Sequence, residues 1–90
     1  MSHTSRDSRK LLSRVRRLGG QVAALESALS AGAECAAVLV QVAAIRGAAA
    51  SLMRELLTEH LQEHVVEQPD RKRREQEMAA ITELLRSYLK

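Results

Sequence analysis

Ninety residues with a formal charge of +3, one cysteine and one aromatic side chain, Tyr88, bound a single small domain spanning 1–90. The apolar material is Leu, Val, Ile, Met and much Ala, which favours close-packed helices over strands. A lone Cys35 excludes an intramolecular disulfide, and a core this small makes self-association a natural remedy.

The first element reads from Leu11 through Val15, Leu18, Val22 and Leu25 to Leu29, an unbroken heptad seam. Gly19 and Gly20 lie within it and predict a close helix contact or a mild bend. The stretch Ser30-Ala31-Gly32 reads as a turn. A second seam, Val38, Val42, Ile45, Ala49, Leu52 and Leu56, continues through His60 to about Val66. At 1.5 Å per residue such a helix is about 50 Å long, wider than a 90-residue globule, and so suits the spine of an assembly. Gln68-Pro69-Asp70 ends it. The basic run 71–74 follows, and Met78, Ile81, Leu85 and Tyr88 predict a short third helix with one apolar face.

Charge is segregated along these elements. Residues 1–20 hold six basic side chains against Asp7, whereas 21–67 hold six glutamates against Arg46 and Arg54. A basic end of this kind points to an anionic partner, nucleic acid before an anionic membrane. No run of about 18 apolar residues and no signal-peptide core is expected to mark export or insertion, so the chain reads as cytoplasmic with no membrane partner. No phosphate loop, Ser-His-Asp set or paired catalytic carboxylates can be assembled, and no enzyme is expected.

Cys35, His60 and His64, with His3 as a fourth member, are the residues that carry chemistry. His60 and His64 lie one turn apart on one helix face and could share a metal; a solvated pair fits the same spacing. Cys35 precedes His60 by 25 residues, about 37 Å along the helix, so one chain cannot close the site. Two antiparallel copies can, because a two-fold interface sets residue i of one chain against residue j of the other. The crossing then falls near residues 48 and 49, within the small-residue run 47–51, which would also suit packing against the first helix. An antiparallel first helix would return His3 toward the histidine end, although spacing alone also allows a His3 without a role. A thiolate with imidazoles suits Ni(II), Co(II), Zn(II) or copper, and disfavours Mg(II) and Ca(II).

The stretches RVRRLGGQVAALE, ECAAVLVQVAAIRGAAASLM, ELLTEHLQEH and LLRSYLK resemble the CsoR/RcnR/FrmR family of bacterial repressors over nearly the whole chain. The resemblance implies an all-α fold of three helices per chain. It also implies an antiparallel four-helix-bundle dimer, a disc-like tetramer, and operator DNA released when inducer binds, derepressing an efflux or detoxification gene. Where the copper-responsive class has a second cysteine this chain has His64, which argues against copper(I). The nickel- and cobalt-responsive class has a His, Cys, His, His set, matched by His3, Cys35, His60 and His64, so Ni(II) or Co(II) is the expected inducer with Zn(II) a further candidate. The formaldehyde-responsive class uses the thiol at Cys35 and usually a proline after the initiator; Ser2 departs from this, though RVRRL is similar to that class. A formaldehyde sensor reacting through Cys35 and the amine of Ser2 is therefore the alternative.

DNA contacts follow from charge. Lys10, Arg14 and Arg17 recur at spacings of four and three as one stripe, and no acidic residue interrupts 8–25. These are the first candidates for contacts to double-stranded operator DNA, with Arg16 and Arg46 second. The run 71–74 either adds to that surface or caps the end of the second helix.

Overall fold

The computed structural model describes residues 8–88, so His3 and the Ser2 amine lie outside the described residues. Three helices carry the chain: α1, Ser8–Ser30; α2, Cys35–Leu61; and α3, Arg71–Tyr88. A π-helical turn, Gln62–Val66, prolongs α2 directly. The three-helix reading of the sequence therefore holds, and Gly19 and Gly20 pass within an unbroken α1. Among the described residues no atom outside the local helix lies within 4 Å of where a Cβ on either glycine would sit, so neither glycine makes a close helix contact there.

The joint between α1 and α2 is a Schellman-type stop. Gly32 adopts φ 74°, the Ala33 N–H donates to the Ala28 carbonyl at 3.0 Å, and the Gly32 N–H donates to that of Leu29 at 3.2 Å. Gly32→Ala keeps these partners but places a Cβ in the left-handed region. The expected cost is about 1 kcal/mol, read as a lower urea midpoint at unchanged slope. The second joint is also explicit in the sequence. The Asp70 carboxylate accepts from the Lys72 N–H at 3.1 Å as the N-cap of α3. Arg74 Nη1 donates to the carbonyls of Gln68 at 2.7 Å and Pro69 at 3.0 Å, so Arg74 closes this turn.

α1 packs on α2, while α3 turns back against the π turn and the end of α2. Each predicted seam divides in two. In α1, Leu11, Leu18 and Leu25 turn toward the packed side, but Val15, Val22 and Leu29 remain 48%, 49% and 60% exposed. In α2, Val38, Ile45 and Leu52 are half-buried, while Val42 and Ala49 are exposed. Leu11 is the only buried hydrophobic residue among those described. The described residues measure 55 × 30 × 13 Å with a radius of gyration of 17.2 Å, against about 12 Å for a compact domain of this size. Thirteen ångströms is about one helix diameter. A stable core needs two layers of secondary structure, and this chain provides one.

By length and composition Cys35–Val66 could also cross a bilayer, with a mean hydropathy of 1.7 in its most apolar window. Gln41 and Arg46 interrupt its apolar residues, and the many alanines raise the average.

Candidate inducer site and nucleic-acid interface

The two ends of α2 carry the two halves of the predicted inducer site. Cys35 is the first residue of α2, with a free and exposed thiol. Glu34 is the N-cap, its carbonyl accepting from the Val38 N–H at 3.1 Å, without a side-chain capping bond. His60 lies in the last turn of α2, about 37 Å away by the helical rise. A single chain therefore leaves Cys35 and His60 apart, as the spacing argument requires.

His60 and His64 do come together, their ring centroids 4.5 Å apart at an interplanar angle of 40°. His64 lies within the π turn, where the Glu67 N–H reaches back to the Gln62 carbonyl at 2.9 Å. Turns of this kind are rare inside helices and recur at functional sites, because the extra residue per turn re-aims side chains. Here the turn lies just before the chain reverses into α3, and Glu77 of α3 meets both rings. Glu77 Oε2 is 3.4 Å from His60 Nε2, and Glu77 Oε1 is 3.9 Å from His64 Nδ1. Glu63 Oε2 lies 3.7 Å from His64 Nε2.

Sequence reasoning missed both carboxylates. Glu63 could have been noticed as the neighbour of His64, but the position of Glu77 depends on how α3 folds back, and no spacing rule announces it. Among the described residues no group of three or more His, Cys, Asp or Glu is arranged to hold a metal ion. One chain supplies two adjacent imidazoles flanked by carboxylates. Imidazoles beside carboxylates are a donor type that suits Ni(II), Co(II) or Zn(II).

Beside the imidazoles runs an apolar groove of about 410 Å³ between α2 and α3, walled by Ala49, Leu52, Leu56 and His60 on one side and Ile81 and Leu84 on the other. The run 47–51 serves two faces. Ala48 and Ser51 line the α1 side, whereas Gly47, Ala49 and Ala50 are exposed, with nothing within 4 Å of the place a Gly47 Cβ would take.

The basic stripe of α1 lies along a second groove, of about 350 Å³, between α1 and α2; Arg14 and Arg17 line it with Ser51. Arg14 Nη1 is 2.8 Å from Glu55 Oε2 and donates to Ser51 Oγ at 3.3 Å, and Lys10 Nζ is 3.5 Å from Glu55 Oε1. Lys10, Arg14, Arg16, Arg17 and Arg46 are all exposed. Along α1 no acid interrupts the stripe, but Glu55 of α2 reaches it from the adjoining depression, which a reading along one helix does not detect.

Residues 7–87 match the family model described as metal-sensitive transcriptional repressor. The chain belongs to this family. The transcriptional repressor RcnR of Salmonella typhimurium is 52% identical to it over 90 residues, covering all of both chains. RcnR of Escherichia coli is 50% identical over the same full length. The structure of a glutamate-to-histidine variant of the formaldehyde-responsive regulator FrmR from Salmonella enterica serovar Typhimurium superimposes with a TM-score of 0.84 at 47% identity, covering 91% of this chain and 93% of that one. The repressor thus has the all-α fold and the CsoR/RcnR/FrmR membership that its sequence implied, and the metal-responsive reading is favoured over the formaldehyde one.

Proposed function

We propose that this repressor binds operator DNA in its metal-free form through Lys10, Arg14 and Arg17, with Arg16 and Arg46 beside them, and releases it on binding Ni(II) or Co(II). Zn(II) is a further candidate. The ligands are Cys35 of one chain with His60 and His64 of another, joined by His3, and release derepresses an efflux gene. One observation carries this reading: the imidazole pair and the thiol occupy opposite ends of one long helix, in a chain that forms a single layer. A second copy laid antiparallel supplies the missing layer and brings thiol to imidazole at both ends in the same step.

The exposed Gly47, Ala49 and Ala50 suit the crossing point, where small side chains let two backbones approach. The open apolar faces of α1 and α2 are then protein interface in a four-helix-bundle dimer, and a disc-like tetramer covers what the dimer leaves exposed. The apolar length of α2 is assigned to this packing, in a cytoplasmic regulator whose single domain both senses and binds DNA. A metal bound across two chains favours the arrangement that satisfies its geometry, and DNA affinity changes if that arrangement presents the basic stripes differently.

The test is a titration of reduced, metal-free protein with Ni(II) and Co(II), followed by absorption. Thiolate charge-transfer bands saturating at one metal per chain, together with loss of duplex binding, are the expected result. A folded protein that gives no bands would overturn the metal reading and leave formaldehyde, acting on Cys35 and the Ser2 amine, to be tested.

A further inference from the structure

Glu55 presents an unusual arrangement for a surface whose task is to meet phosphate. It lies on α2 in the depression next to that groove, beside Arg14, Ser51, Arg54, Thr58 and Glu59, its side chain only 23% exposed, and contacts two of the three leading DNA-binding candidates: Arg14 at 2.8 Å and Lys10 at 3.5 Å. The Arg14 contact is close but lacks aligned hydrogen-bond geometry at Glu55 Oε2, and the same guanidinium nitrogen also reaches Ser51. Arg14 is 42% exposed and Lys10 64%, so both heads retain access to solvent while paired. An ion pair whose cations stay open to water contributes little and exchanges readily. A phosphate oxygen offers either cation the same charge-assisted contact.

We propose that Glu55 is an internal competitor of the DNA backbone, holding Lys10 and Arg14 in the free repressor and limiting the affinity of the basic face for duplex. This rests on the reading that this face binds DNA. Two consequences follow. In the unbound protein the carboxylate cancels about one positive charge on each stripe, which weakens indiscriminate attraction to any duplex. In the bound protein Lys10 and Arg14 turn from Glu55 to phosphate, and the carboxylate left behind stays in the depression and repels the duplex. Arg17, which lines the neighbouring groove, is the stripe member least affected.

The experiment measures binding of the metal-free full chain to a labelled duplex of mixed sequence over a range of salt concentrations. It compares wild type, Glu55→Gln, Lys10→Ala/Arg14→Ala, and the triple variant combining all three changes. Glu55→Gln keeps the shape and removes the charge. It is expected to tighten binding about threefold or more at low salt, with a gain that shrinks as salt screens the lost charge. The gain should vanish in the triple variant relative to Lys10→Ala/Arg14→Ala.

Unchanged or weaker binding by Glu55→Gln, with Lys10→Ala/Arg14→Ala still impaired, would overturn the competitor role and leave the DNA face standing, with Glu55 instead orienting the arginine. A gain that persists in the triple variant would also overturn it, since Glu55 would then act only as bulk charge. Binding unaffected by Lys10→Ala/Arg14→Ala would instead remove the DNA-face reading. Should Glu55→Gln fail to fold by circular dichroism, Glu55→Asp retains the charge but retracts it by one methylene, and is expected to give a smaller gain of the same sign.

Discussion

Cys35→Ala is expected to abolish the response to inducer while leaving metal-free DNA binding and stability nearly intact. The thiol is exposed in the chain and takes no part in the packing of α1 on α2, so its removal should change stability by no more than about 0.5 kcal/mol. The basic stripe lies on α1 and across the groove near Ser51 and Glu55, well along α2 from residue 35. Ligation is different. Two imidazoles from one chain are a weak site, and the thiolate is the donor that joins one chain to the other. Its removal should therefore eliminate the sulfur-to-metal absorption and raise the metal concentration needed to release DNA by at least about tenfold. Duplex binding measured by anisotropy, with and without Ni(II), reads both effects in one experiment. Simultaneous loss of folding and DNA binding would make Cys35 a structural residue of the interface and sink the sensing role.

The same geometry explains how much could be read in advance. Helix α2 was legible because its apolar seam is regular and the joints on either side act through local chemistry: a left-handed glycine that ends α1 and a capping carboxylate that starts α3. The separation of Cys35 from His60 was legible as well, since helical rise is fixed by the backbone.

Three features were not. A heptad seam identifies apolar positions but does not divide them between an intrachain and an interchain neighbour, so Leu18 and Val22 look equivalent until α1 is docked. Glu55 and Glu77 act across tertiary contacts, one on Arg14 and the other on His60. The π turn at 62–66 depends on how the chain reverses into α3, and nothing in QEHVV separates it from another turn of α-helix.

The division of the seams leads to the second large effect. Ala49 lies on the exposed side of α2, on the wall of the apolar groove that ends at His60, and next to the position where two antiparallel copies would cross. At a two-fold crossing a residue lies close to its own symmetry mate, so Ala49→Glu introduces two carboxylates into one apolar contact. Glutamate is a good helix former, and the intrinsic cost to α2 is no more than about 0.5 kcal/mol. Burying unpaired like charges costs several kcal/mol per ion, which amounts to a dimer weakened about a thousandfold or more.

A chain with one buried hydrophobic residue among those described has little to hold it together once its partner leaves. Ala49→Glu should therefore lose helical circular dichroism and cooperative melting along with its assembled mass in sedimentation, whereas Ala49→Ser, which keeps the side chain small, should retain all three. An Ala49→Glu protein of unchanged mass and melting temperature would place the crossing elsewhere on α2, and with it the register that brings Cys35 to His60. If both variants assemble and the thiolate bands survive in each, the metal site itself would have to be built in some other way, because the antiparallel register ties the two predictions to one geometry.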